Sequence, residues 1–227
     1  MVTSPDERPD HIALSYVWGE ESSNDPMLHV DGYSLQIRAS LWEALQELTT
    51  HVNTIRLWVD QICIDQKNET EKKQQVELMS KIYKQAQRVI GWLGDHEDDS
   101  ELAWDLLFVV GNSLPAHEVQ AESELRRAVD ALMKAGHLQR LGDLVDPSRR
   151  SVQAAACLVQ RPWFHRLWIV QEVALAFTLE LRCGNSYIPG DIFFNAVRIL
   201  RSAVSDPPMP WLQKPYRNAF KLGQLRA

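Results

Sequence analysis

The chain has 227 residues, of which 45% are hydrophobic, enough for one large domain, or one domain with an appended helical piece, with a sizeable core. Its formal net charge of −6 argues against a nucleic-acid binder, which needs a basic face. No run approaches the roughly 20 apolar residues of a membrane-spanning helix, and the polar lead Met1-Val-Thr-Ser-Pro-Asp-Glu-Arg8 is no signal peptide. A cytoplasmic protein is expected. Cys63, Cys157 and Cys183 each sit in apolar sequence, which predicts buried, reduced thiols rather than a disulfide frame.

Ile12-Ala-Leu-Ser-Tyr-Val-Trp18 reads as a buried strand stopped at Gly19, with a loop from Glu20 to Pro26. Asp31-Gly32 between alternating runs predicts a hairpin over residues 28–37. A helix is expected from about Ser40, with Leu41, Ala44, Leu45 and Leu48 on one face. Ile55-Arg-Leu-Trp-Val59 is a second core strand that delivers Asp60 at its end. Thr70 to Gln87 carries Val76, Met79, Ile82, Tyr83 and Ala86 at helical spacing. Arg88-Val-Ile-Gly-Trp-Leu93 then reads as a third strand. Strand, helix, strand, helix, strand in that order predicts right-handed crossovers and a mostly parallel sheet flanked by helices.

Between residues 98 and 160 the pattern turns helical, with Glu101–Val110 and Glu122–Ala135 the clearest segments. We read this as a helical insertion, because strand patterning resumes with Leu179-Glu-Leu-Arg-Cys183. A helix over 166–177 precedes that strand and another over 191–203 follows it. The expected domain covers residues 1–205, and the proline-bearing stretch from Asp206 to Ala227 is a tail or the start of a following region.

Three segments concentrate polar groups at strand ends or beside a turn, the places where open parallel sheets bind ligands. The first is Ser15-Tyr-Val-Trp-Gly19, where Gly19 allows close backbone approach and Trp18 offers a stacking face. The second surrounds Asp60 and Gln61. The third, Arg161 to Ala176, sets Glu172 among apolar Trp168, Ile169, Leu175 and Ala176 at helical spacing. A carboxylate so enclosed needs a partner, a raised pKa or a task. Each feature also has a plainer structural reading. Asp60 would then cap or staple a turn, Tyr16, Trp18, Trp163 and Trp168 would serve core or lid packing, and Glu172 would pair with Arg166 or Arg161. No histidine–cysteine spacing fits a metal site. The phosphate loop, the Gly-x-Gly-x-x-Gly turn and the Gly-x-Ser-x-Gly elbow are all missing from the sequence.

Together these segments resemble the HET domain, the heterokaryon-incompatibility module of filamentous fungi. Ala13-Leu-Ser-Tyr-Val-Trp-Gly19 resembles that family's opening strand. Leu57-Trp-Val-Asp-Gln-Ile-Cys-Ile-Asp-Gln66, with Gln75-Val76, Met79, Ile82-Tyr83, Ala86 and Trp92-Leu-Gly94, resembles its central block. Arg161-Pro-Trp-Phe164, Arg166, Trp168 and Gln171-Glu-Val-Ala174 resemble its last. Gln61 and Asp65 depart from the pattern, standing where a small residue and an asparagine are expected.

The resemblance implies programmed cell death when unlike hyphae fuse, with self-association for activity and an upstream sensor or receptor domain. A more distant similarity to TIR domains, carried by Leu14-Ser-Tyr16 and Trp168-Ile-Val-Gln-Glu172, implies a flavodoxin-like α/β fold. It also implies a candidate reaction, cleavage of the nicotinamide–ribose bond of NAD(P)+ as substrate, with no retained cofactor. By position Glu172 would be the catalytic carboxylate. Ser15, Tyr16, Trp18, Gly19, Asp60, Gln61, Trp163, Arg166 and Trp168 would bind substrate, and Arg161 or Arg166 would hold the pyrophosphate. The alternative is a non-enzymatic death-signalling module that oligomerises or recruits partners. A nucleotide sensor without turnover is a third.

Overall fold

The computed structural model describes residues 11–50, 55–113, 150–203, 218–219 and 221–225. The expected helix over 122–135 lies outside them, and so does the tail from Asp206 apart from residues 218–219 and 221–225. The chain divides into two compact units, Met1–Asp95 with Arg166–Asn185, and His96–His165 with Ser186–Ala227.

The first unit opens with β1 (Ile12–Ser15), whose four residues are all buried, as befits a strand covered on both faces. The strand is shorter than the apolar run that predicted it. Strands β2 (Met27–Val30) and β3 (Tyr33–Gln36) form the expected antiparallel hairpin. Asp31 and Gly32 turn it at φ +50° and +82°, the two positive values a tight hairpin turn requires. Helix α1 (Ala39–Thr50) buries Leu41, Ala44 and Leu48. After β4 (Leu57–Trp58) comes a single helical turn, α2 (Asp60–Cys63), followed by α3 (Glu69–Gln85). Asn68 caps α3, its Oδ1 accepting from the amides of Thr70 at 3.2 Å and Glu71 at 3.1 Å. Next come β5 (Arg88–Trp92) and, once the chain has returned, β6 (Leu179–Cys183).

Strands β4, β1, β5 and β6 are neighbours in that order and run parallel, Leu14 lying opposite Ile90 and Ile90 opposite Glu180. With β7 (Ser186–Pro189) last in the order, the chain builds a five-stranded, mostly parallel mixed sheet in an α/β fold. Alternation sends Ile12, Leu14 and Tyr16 to one face, where they pack with α1, Val59, Ile90 and Trp92. Ala13 and Ser15 therefore face the other side. There α3 packs against α6 (Ile169–Leu175).

In the second unit, α4 (Ser100–Gly111) packs on α5 (Arg150–Leu158) and on α7 (Gly190–Ala203). After α5 comes one 3-10 turn, Pro162–His165. Phe193 joins the layers, stacking on Phe164 at 5.7 Å and tilting against Trp104 at 6.1 Å. Gly111 allows the close approach of α4 to α7, since a Cβ there would lie 2.3 Å from the Ile192 carbonyl oxygen. All three cysteines are free, but only Cys183 is buried. Cys63 and Cys157 are exposed, against expectation. Their apolar neighbours fill the core while these two positions fall on outward-facing turns of α2 and α5.

Candidate functional site

Because β1 and β4 are parallel neighbours, their C-terminal ends meet at one edge of the sheet. There β1 presents Ser15 and runs on through Tyr16 to Trp18 and Gly19, while β4 presents Asp60 through Val59. Helix α6 brings Glu172 to the same edge on the Ser15 side. Residues as far apart in sequence as Ser15 and Glu172, 157 positions, are thus hydrogen-bonded at this edge.

Glu172 is 1% exposed. Its Oε2 accepts a short hydrogen bond from the Ser15 hydroxyl. Arg166 grips both oxygens, Nη1 to Oε2 and Nη2 to Oε1, each at 3.2 Å, and Nη1 also reaches Ser15 Oγ at 3.4 Å. This two-pronged pairing is the geometry in which arginine holds a carboxylate best. Burial pushes the Glu172 carboxyl above its usual range. Arg166 and Ser15 pull it down, and the charge of Asp60 pushes it further up.

Asp60 sits at the outer side of this cluster, half-buried. Its Oδ2 accepts from the Trp18 indole at 2.9 Å and its Oδ1 from the Gln61 amide at 2.8 Å. Burial raises its pKa, while Trp18, the Gln61 amide and the charge of Arg166 oppose the rise. The Tyr16 hydroxyl donates to Gln61 Oε1 at 3.1 Å. Burial, then the charge of Asp60, drives the Tyr16 pKa far up, so the phenol stays a donor. Gly19 adopts φ +73°, and a Cβ there would find only Ser40 Oγ, at 3.9 Å. The Ser40 hydroxyl in turn donates to the Trp18 carbonyl at 2.9 Å.

Two expected aromatic residues are placed otherwise. Trp168 does not share the buried face of Glu172. It precedes α6 as the N-cap and is 42% exposed, because the helix starts later than the periodicity implied. Trp163 lies in the core of the second unit, edge-on to Phe164 at 5.0 Å. Arg161 reaches the Glu97 carbonyl at 3.4 Å, also within the second unit.

Sequence reasoning missed Tyr83, which feels the charges of Glu172 and Asp60. Its hydroxyl, carried on α3, donates to the Leu14 carbonyl at 3.1 Å while its ring meets Trp58 edge-on at 5.7 Å. Burial first, then the charges of Glu172 and Asp60, hold its proton on. A phenol inside an otherwise aliphatic stripe was the available signal, since a buried tyrosine hydroxyl must find an acceptor. Among the described residues no three His, Cys, Asp or Glu side chains gather to hold a metal ion. Nor is any described helix long and apolar enough to cross a membrane.

Residues 11–172 match the family described as Heterokaryon incompatibility protein (HET), and the chain belongs to that family. It is also similar to Heterokaryon incompatibility protein 6, OR allele, of Neurospora crassa, at 32% identity over 220 residues. That match covers 87% of this chain and 32% of the relative, so the chain spans about a third of the relative's length. No solved structure matches the chain.

Proposed function

We propose that this HET domain drives the cell death of heterokaryon incompatibility by hydrolysing NAD(P)+ to nicotinamide and an ADP-ribose product, once assembled into an active oligomer. The observation that carries the reading is a buried carboxylate, Glu172, at the C-terminal edge of parallel strands, hydrogen-bonded by Ser15 and Arg166. In the reaction the C1′–N bond breaks with its electron pair passing to the ring nitrogen. Nicotinamide leaves neutral, and no general acid is required. The ribose gains oxocarbenium character, water adds at C1′, and one proton is released. A desolvated carboxylate beside that carbon stabilises the developing cation far better than one in water.

In this assignment Glu172 faces the ribose and Ser15 orients it. Arg166 turns from Glu172 to the pyrophosphate when substrate enters, exchanging one anion for another. Trp18 and the exposed Trp168 supply flat apolar faces for the rings. A second reading, a non-enzymatic signalling module, draws on the same contacts: both Glu172 oxygens are occupied and the side chain is closed from water.

The two readings part on one experiment. NAD(P)+ is measured in cells expressing the protein and cells expressing Glu172→Gln, with the fold of the variant checked by circular dichroism. The enzyme reading expects the dinucleotide pool to fall with the native chain and to hold with the variant, along with survival. Death by Glu172→Gln with a constant pool would refute it.

A further inference from the structure

We infer that Asp60 and Trp18 form a subsite for a planar aromatic cation, which on the NAD(P)+ reading of this site is the charged pyridinium ring of the uncleaved substrate. Arg166 is the positive charge that bears on both carboxylates, and its two prongs are taken by Glu172. Asp60 receives its hydrogen bonds from neutral donors, the Trp18 indole and the Gln61 amide, and among the described residues it makes no ion pair. A second cation at this edge, Arg38, whose amide donates to Gln61 Oε1 at 3.3 Å, is itself paired with Asp25 at 2.9 Å and Glu21 at 3.0 Å. Among the described residues Arg166 is thus paired with one of two carboxyls, which leaves Asp60 the excess acidic group at this edge.

That excess lies beside an aromatic face. Trp18 packs partly on the core cluster and is partly exposed. Donating its N–H to a carboxylate makes the indole ring more electron-rich and strengthens its hold on a cation above it. Gly19 leaves the adjoining space without a side chain. A ring that carries positive charge meets both Asp60 and the indole. The same ring after cleavage is neutral and keeps only the stacking contact. The subsite therefore favours substrate over nicotinamide product.

The test uses the complete chain and two probes of nearly equal shape, the N-methylnicotinamide cation and neutral nicotinamide, titrated by tryptophan fluorescence quenching and by NMR shifts of the indole N–H signals. The expected preference for the cation is about tenfold, the scale of a part-buried cation–π contact beside a carboxylate. Asp60→Asn should abolish the preference while leaving nicotinamide binding in place. Trp18→Phe, which keeps the charge but loses the polarised indole, should reduce it in part. Equal binding of the two probes, or an undiminished preference in Asp60→Asn, overturns the inference. Cation preference in a chain that never lowers NAD(P)+ removes the hydrolysis reading and leaves the subsite standing. Hydrolysis without cation preference does the reverse.

Discussion

Replacing Arg166 by methionine takes away the guanidinium and keeps most of the apolar stem. Glu172, 1% exposed, then loses the partner that opposes its desolvation and has only Ser15 to hold it. Removing one partner of a buried pair typically costs about 3–5 kcal/mol, because the survivor is stranded away from water. The reverse deletion is gentler. Glu172→Gln leaves Arg166, whose side chain is 19% exposed, with a route to solvent, and the amide oxygen still accepts from Ser15. A loss of about 1 kcal/mol is expected there. Urea unfolding at neutral pH, extrapolated linearly, reads both values. Combining the two substitutions should recover most of the Arg166→Met deficit, since no charge is then buried. Acidification should shrink that deficit as well, because Glu172 takes up a proton. Equal losses for the two single variants, or strict additivity in the pair, would show that Arg166 is not the counter-ion that keeps Glu172 folded.

Two further outcomes follow from the same contacts. Burial raises the carboxyl pKa of both Glu172 and Asp60 in the fold, so the native state binds more protons than the unfolded chain just above the ordinary carboxyl range. Their contribution to stability is complete below the unfolded values and is lost as pH rises through the folded ones. Stability curves from pH 4 to 8 should therefore fall less steeply for Asp60→Asn and Glu172→Gln than for the native chain, and an unchanged slope would contradict the shifts. In the second unit, Gly111→Ala sets a methyl 2.3 Å from the Ile192 carbonyl oxygen. The α4–α7 contact must open, at about 1–3 kcal/mol, with a lower thermal midpoint by calorimetry; an unaltered midpoint would show that the two helices tolerate separation.

The parallel sheet was legible because its strands are continuous apolar runs separated by helices of clear period; Asp60 stood out at the end of such a run, Ser15 within one and Glu172 inside an apolar helical segment. Three things were hidden for physical reasons. Strand β7 buries one side chain, Ile188, too little for any periodicity to register. Helix α2 is a single turn and reads like the loop around it. The partner of Glu172 was open between Arg166 and Arg161, since neither stands at helical spacing from it. The chain before α6 has to fold back for a residue six positions away to reach both carboxylate oxygens, and only the tertiary path decides that.

The bond from Tyr83 to Leu14 bears on how the sheet is finished. Pairing of β4 with β1 stops at Trp58 opposite Ala13, and the next carbonyl of β1, that of Leu14, is met by a phenol. A strand amide in that place would have carried the ladder on and locked Asp60 into it. The hydroxyl satisfies the same oxygen from a neighbouring helix, so β4 ends after two residues without an orphaned acceptor. The backbone is released one step early, and the sheet terminates in carboxylate and indole groups instead of peptide hydrogen bonds.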